Sequence, residues 1–381
     1  MSVSFTTDIE TLRGVLKNAC DAFDENIQPN LKGIYFNVAD GFVDIAANAY
    51  ITSFYRRLTN IQTTGTGVLF IPVTLYSVIE SLKDTAFTKI GNVTIEEGDK
   101  HVNVYADEYG IEDTDYVGFT QRLQFTIPKN VVRNVEKLDF GIVDRGLPDN
   151  VEYIPISEFH LVADMFLPLF GKNDFQSQRS YLFLSEKLFT VNAFMTAYSD
   201  NIFSIRDKSI NCKLLSYLKS LTSGGDPESS LAIWEQDRRI YCEYNSNYIT
   251  YNIPKIEHLN ISHVLSPNTE EHCVVVPMEM ILALFQRSTA LSDKNWTFDI
   301  TDKSIRVFNR ELAEMHIPVL KAKDLTGKFI IEVEHLNKAL ILRDAQYVLL
   351  YIYQANNGYR MKVMDNTKLW ACDIPIKRAK N

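Results

Sequence analysis

Few side chains in this sequence have the type and spacing that a reaction centre needs. His258, His263, His272 and Cys273 form the one grouping with metal-ligand character, and their spacing matches no standard zinc pattern. No Gly-x-Gly-x-x-Gly and no Gly-x-x-x-x-Gly-Lys-Ser/Thr occurs, so a phosphate-cradling loop of known type is missing. Gly65-Thr66-Gly67 leads into a strand, the wrong context for one. There is no Gly-x-Ser-x-Gly nucleophile elbow. The acidic pair Glu96-Glu97 falls at a turn, where solvated charge accounts for it, and Asn92-Val93-Thr94 is a chance glycosylation sequon. The five cysteines (Cys20, Cys212, Cys242, Cys273 and Cys372) are scattered, odd in number and without a Cys-x-x-Cys pair. Thiols so placed fit a reducing compartment better than a disulfide framework or a zinc knuckle. The pattern points to a protein with no catalytic set, no cofactor and no metal. An enzyme with a site at a domain junction is the least favoured alternative.

What remains is charge. Segments with helical periodicity carry Arg13, Lys17, Lys83, Lys213, Lys219, Arg287, Lys338 and Arg343. Arg13 and Lys17 are four residues apart and so share a helix face. Such cations have an ordinary explanation, solvated surface, and a functional one, contact with phosphates; the residues alone favour the ordinary one. Against a continuous basic face, the third helical segment offers His160 and Asp164 but no Lys or Arg before Lys172. Glu80 and Asp84 also share these helices. A formal net charge of −9 excludes indiscriminate nucleic-acid binding over the whole surface but leaves room for a local basic lining.

The elements that must position these side chains follow from length and periodicity. At 381 residues the chain exceeds one ordinary core, and two or three domains are expected. A hydrophobic fraction of 46% is that of a globular protein. With no long apolar window and no basic-then-apolar leader, a soluble, cytoplasmic protein without a membrane partner is expected. Seven of the twelve prolines follow Ile or Val. Pro72, Pro155 and Pro277 sit between an apolar strand and a helical pattern, as suits a helix start. Pro128, Pro254, Pro318 and Pro375 each close a run of strands. Pro128, Pro254 and Pro375 are about 120 to 126 residues apart, a domain-sized period.

Three domains are therefore expected: 1–128, then a linker at 129–150 with little regular structure, 151–254, a connector at 255–269, and 270–381. Each holds two strand–helix–three-strand units. The last unit shows the pattern. Leu336, Ala339, Leu340 and Leu342 have helical spacing within 334–345, and residues 347–353 form a continuous apolar strand. Asn356-Asn357-Gly358 turns that strand back. Tyr359, Met361 and Val363 then alternate with Arg360 and Lys362, and a final strand at 368–374 ends at Pro375. One helix cannot cover its strands and be covered itself, so each unit needs copies as neighbours. The fold class is α+β.

In order and spacing, four segments resemble the bacterial-type sliding clamp, the beta-subunit family of DNA polymerase III, in a divergent or phage form. They are Phe5-Thr6-Thr7-Asp8-Ile9-Glu10 with Leu16, Val191-Asn192-Ala193, Ile253-Pro254-Lys255, and Ile374-Pro375-Ile376-Lys377. The resemblance covers essentially the whole chain. It implies three tandem clamp domains in a half ring, helices inside and sheets outside, and a homodimer closing head-to-tail around double-stranded DNA without reading sequence. It implies a non-enzymatic processivity factor that tethers DNA polymerase and needs an ATP-driven clamp loader. On this reading the eight helix cations face DNA. A hydrophobic groove for short partner motifs would be lined by Leu182, Ala193, Pro254, His258, Leu259, His335, Ile374, Pro375 and Ile376. After Ala193 the chain continues Phe194-Met195-Thr196-Ala197, where the family usually has an acid, a glycine and a basic residue, so partners specific to this chain are expected. Ring closure is expected at strand edges near 102–106 and 296–308. The alternative is a β-rich interaction or structural protein of the same repeat that does not bind DNA.

Overall fold

A computed structural model of the chain describes residues 2–23, 32–49, 51–111, 118–129, 138–170, 181–191, 195–254, 272–289, 291–292, 294–310, 314–340, 345–355, 358–365 and 370–379. The described residues contain seven α-helices and sheets of five, eight and thirteen strands. Two compact units result: residues 1–155 with 220–253, and residues 156–219 with 254–381.

In the first unit, strand Ser4–Asp8 runs directly into α1 (Ile9–Asp21). The switch is made at Asp8, whose side chain accepts the Thr11 N–H at 2.8 Å and satisfies a donor the helix leaves open. Ile9, Leu12, Val15, Leu16 and Ala19 make one buried stripe. Helix α2 (Thr74–Ser81) packs against α1 and buries Leu75 and Ile79. The five-stranded antiparallel sheet runs Gln62–Thr64, Ser4–Asp8, Thr88–Glu97, His101–Gly110, Thr120–Pro128.

The eight-stranded sheet runs Glu152–Pro155, Ser230–Gln236, Arg239–Tyr244, Asn247–Asn252, Thr52–Thr59, Phe42–Ala49, Gly33–Ala39, Gly67–Pro72. Its halves join where Ile249 lies opposite Phe54. Strand alternation sends Phe36, Ile45 and Phe54 to one face, where Phe36 stacks on Phe5 at 5.4 Å. Tyr35, Ala46 and Tyr55 go to the other face.

That second face is covered where a linker with little regular structure was expected. Residues 142–145 form a helical turn, α3 (Ile142–Arg145), and Leu138 and Ile142 are buried with Tyr55, Trp234 and Tyr241. The Asp139 N–H donates to the Tyr55 hydroxyl at 3.2 Å. Arg57 Nε meets Asp44 Oδ1 at 2.6 Å, and the same guanidinium also holds Asp144. The apolar residues of this segment look scattered because they dock on a flat aromatic face and do not form a helical stripe.

The second unit carries α4 (Ile156–Phe166), most of α5 (Cys212–Thr222), α6 (Met278–Ser288) and α7 (Val333–Ala339). Its main sheet runs Lys208–Asn211, Tyr181–Leu184, Lys187–Val191, Thr196–Asp200, Trp370–Arg378, Gly327–Glu332, Asn295–Ile300, Ser304–Phe308, Glu314–Pro318. Gly358–Asp365, Tyr347–Ala355, Cys273–Pro277 and Lys321–Lys323 follow one another from Trp370–Arg378.

Strand Trp370–Arg378 is the node of this unit, and it does not stop at Pro375 as the sequence suggested. One neighbour, Thr196–Asp200, ends opposite Asp373, and another, Gly327–Glu332, begins opposite Lys377. Pro375 falls in the interval between them, where a residue without an N–H is tolerated. Helix α7 is also shorter than the expected 334–345. Leu340 N–H turns back to the carbonyls of Leu336 and Asn337 at 3.2 and 3.3 Å, and Trp370 Nε1 donates to the Ala339 carbonyl at 2.8 Å. These bonds close the helix end.

The edges expected near 102–106 and 296–308 are not edges. His101–Gly110, Asn295–Ile300 and Ser304–Phe308 are each paired on both sides, and the sheets end at Thr120–Pro128 and Glu314–Pro318. The apolar alternation that drew attention to the inner strands marks sheet centre. Thr120–Pro128 is mostly exposed and polar, as a managed edge strand is.

Candidate functional site

Seven of the eight expected helix cations lie among the described residues, and Lys83 falls just past the end of α2 and not on it. Arg13 is tied down: its guanidinium donates to Glu10 and to the Leu82 carbonyl, and its side chain is 26% exposed. Lys219 is paired with Asp164. Lys338 Nζ lies 2.8 Å from Glu334 Oε1 one turn back, and this contact holds the Glu334 carboxyl below its ordinary range. Lys213 is half-buried, with its backbone N–H on Asn211 Oδ1 at 2.8 Å. Lys17, Lys83 and Arg287 are exposed, and none is held in an ion pair among the described residues. Lys17 pulls the Asp21 carboxyl down, although burial, the larger effect, raises it. Arg343 lies outside the described residues. The structure therefore separates three exposed cations from three that are already neutralised locally.

The expected groove residues fall into three groups. His335, Pro375 and Ile376 line one cavity of about 380 Å³ in the second unit. Leu182 and Ile374 are fully buried core residues, and Pro254 is half-buried just past a strand end. Ala193, His258 and Leu259 lie outside the described residues. Sequence reasoning missed Ala355 and Lys377 in the cavity wall, and with them Asn295, Ile330, Glu332, Tyr359 and Arg360. These last five come from three further strands, and only the register brings them together: Asn295 opposite Glu332, Tyr359 opposite Ile376, Arg360 opposite Pro375.

The cavity is apolar on one side and polar on the other. His335 Nδ1 is 3.5 Å from Glu332 Oε2, with the His335 side chain 13% exposed. Tyr359 meets Phe329 edge-on at 5.9 Å, and its hydroxyl accepts from Arg378 Nη1 at 3.1 Å. Behind the wall, Arg360 Nε donates to Asp373 Oδ2 at 2.8 Å and Tyr353 Oη donates to the same oxygen at 2.7 Å. Burial pushes the Asp373 carboxyl up, against the opposing pull of Arg360, Tyr353 and Lys362. Burial likewise lowers Lys362, against the attraction of Asp373. The network fixes the Arg360 guanidinium at the cavity rim.

Of the metal-like residues, His272 and Cys273 are described. His272 Nδ1 donates to the Asp324 carbonyl at 2.8 Å, while His258 and His263 lie outside the described residues. Among the described residues no group of three or more His, Cys, Asp or Glu is placed to hold a metal ion. No described helix is long and apolar enough to cross a membrane.

No family model matches the sequence, and no curated protein matches it. Solved structures do match in fold. The DNA polymerase III subunit beta of Pseudomonas aeruginosa superposes with a TM-score of 0.78 at 14% identity, over 99% of this chain and all (100%) of that one. Its counterpart from Thermotoga maritima gives 0.72 at 12% identity, over 99% and 100%. That of Borrelia burgdorferi, in complex with a natural product, gives 0.74 at 12%, over 99% and 98%. Along its full length, the chain has the α+β fold of the bacterial DNA polymerase III beta subunits, the sliding clamps.

Proposed function

We propose that this chain is a DNA sliding clamp, a processivity factor that encircles duplex DNA and tethers a polymerase. The observation that carries the reading is likeness of fold to beta subunits over 98–100% of both chains. On this reading the chain comprises three clamp domains, 1–128, 151–254 and 270–381, and two copies close into a ring in the cytoplasm. Enclosure replaces tight binding, which is how a chain of net charge −9 stays on a polyanion. Among the described members of the expected DNA-facing set, Lys17, Lys83 and Arg287 are exposed and offer side chains to phosphates, and contacts of that kind are independent of sequence and suit sliding. The cavity at His335, Pro375 and Ile376 is the docking pocket for polymerase and other partners. A separate ATP-driven loader opens the ring.

The test is retention on a nicked circular plasmid after loading with the cognate clamp loader, followed by gel filtration before and after linearisation. Retention on the circle and loss from the cut molecule supports enclosure. Equal retention on both means ordinary surface binding. No retention on either, with a loader active on its own clamp, favours a β-rich interaction protein that does not bind DNA.

A further inference from the structure

Beside the cavity at His335 and Ile376 lies a second, of about 400 Å³, lined by Thr297, Phe308, Asn309, Arg310, Ile330 and Lys377. The two share Asn295, Ile330 and Lys377 as a common wall. Register builds its floor: Lys377 lies opposite Ile330, Ile330 opposite Thr297, and Thr297 opposite Phe308. Neighbouring strands are about 4.8 Å apart, so this row extends the groove by roughly 14 Å. An extended peptide spans that distance in about four residues.

The two cavities differ in charge. In the first, Glu332 and His335 sit together and Arg360 is held by buried Asp373. In the second, Arg310 is exposed, as is Lys377 on the wall it shares with the first. Among the described residues neither forms an ion pair and no carboxylate lines this cavity. Phe308 and Ile330 give it an apolar wall. Glu332 disfavours an acid at one end, Arg310 favours one at the other, and Lys377 stands on the wall between them, so the combined groove has a direction.

We infer that the second cavity is a carboxylate-binding extension of the partner pocket. A docked segment places an apolar side chain beside Ile376, runs past Lys377 on the shared wall, and sets an acidic residue, about four positions away, against Arg310. This rests on the first cavity being a peptide pocket. Charge-assisted contacts of this kind are the stronger class of hydrogen bond and select sharply against the isosteric amide.

Two peptides test it: acetyl-Leu-Leu-Gly-Ser-Asp-Asp-amide and the same peptide ending Asn-Asn. Both are titrated into protein carrying ¹³C-methyl isoleucine, with the Ile376 and Ile330 signals followed. The expected result is that both peptides shift Ile376, and that the acidic one binds about tenfold tighter at low salt. That preference should vanish in Arg310→Glu and survive in Arg310→Lys. Equal affinities with Ile376 still shifting would overturn the extension while leaving the pocket. An acidic preference that persists in Arg310→Glu would overturn it as well, since the preference would then arise elsewhere. If neither peptide moves Ile376, the pocket and its extension fall together.

Discussion

Arg13 on α1 donates through its guanidinium to the carbonyl of Leu82, the residue that ends α2. The bond joins α1 to α2 and fills an acceptor that the end of α2 leaves open. Arg13 is therefore a fastener before it is a phosphate ligand. Arg13→Ala should lower unfolding stability by about 1–3 kcal/mol, the range for losing a hydrogen bond from a charged donor. Urea denaturation measures it; an unchanged midpoint and slope would return Arg13 to the DNA-facing set.

Lys17, Lys83 and Arg287 carry the opposite expectation. Each is exposed, so reversal to Glu should change stability by no more than about 0.5 kcal/mol. On loaded circular DNA the triple variant should lose retention, and the salt dependence of dissociation should flatten by about 0.9 in log–log slope per phosphate contact removed. Wild-type retention and slope in a folded triple variant would exclude these three as the DNA-facing cations.

Asp373 gives a pH prediction with a definite sign. Burial raises its carboxyl above the unfolded value of 3.8, so folding disfavours its ionised form. Its contribution to stability is thus fullest below that value and is lost as pH rises through the folded-state value. Asp373→Asn lacks the titration. The stability of wild type relative to this variant should decline as pH is raised from the acid side of 3.8 towards neutrality. Paired denaturation curves at several pH values decide it, and a gap that widens with pH would contradict the assignment.

Trp370→Phe addresses the closed end of α7. The substitution leaves the Ala339 carbonyl without its indole donor and loosens an edge-on contact with Phe166 at 5.2 Å. The combined loss should be about 2–4 kcal/mol. Hydrogen exchange should show it first in the amides of α7. Loss spread evenly over the unit, with no early exchange there, would mean that the indole bond does not hold the helix end.

Much of the fold was legible because the relevant signals are local. Asp8 before the Ile9, Leu12, Leu16 stripe announces α1, and Asp40-Gly41 announces the hairpin between Gly33–Ala39 and Phe42–Ala49. Gly41 takes the positive φ of 75° that this turn needs. Strand Lys208–Asn211 carries almost no local signal, because a single large apolar residue, Ile210, marks it. His101–Gly110 runs further than its apolar stretch because Asp107 and Glu108 tolerate half-exposed positions on it.

The site was less legible for a different reason. His335, Pro375 and Ile376 belong to segments with family-like spacing, whereas Asn295, Ile330 and Tyr359 look like any strand residue. Only cross-strand register, which no local pattern encodes, brings them to one wall. Among the helix cations, sequence could not distinguish Lys17 from Lys338, since it takes coordinates to see which one has an acid within reach.

The strand pair that joins Thr52–Thr59 to Asn247–Asn252 also sets a timetable for synthesis. A nascent chain that has emerged only to Pro155 already contains Thr52–Thr59 but not the strand that will cover its edge. Until the chain reaches Asn252, that row of N–H and C=O groups stays open to any other extended segment nearby. The eight-stranded sheet is thus completed late, by contacts of very long sequence separation, and slow closure of this kind is where aggregation competes. The first unit is the earlier part of the protein to begin folding, but it cannot finish before translation has passed through most of α5 and the three strands beyond it.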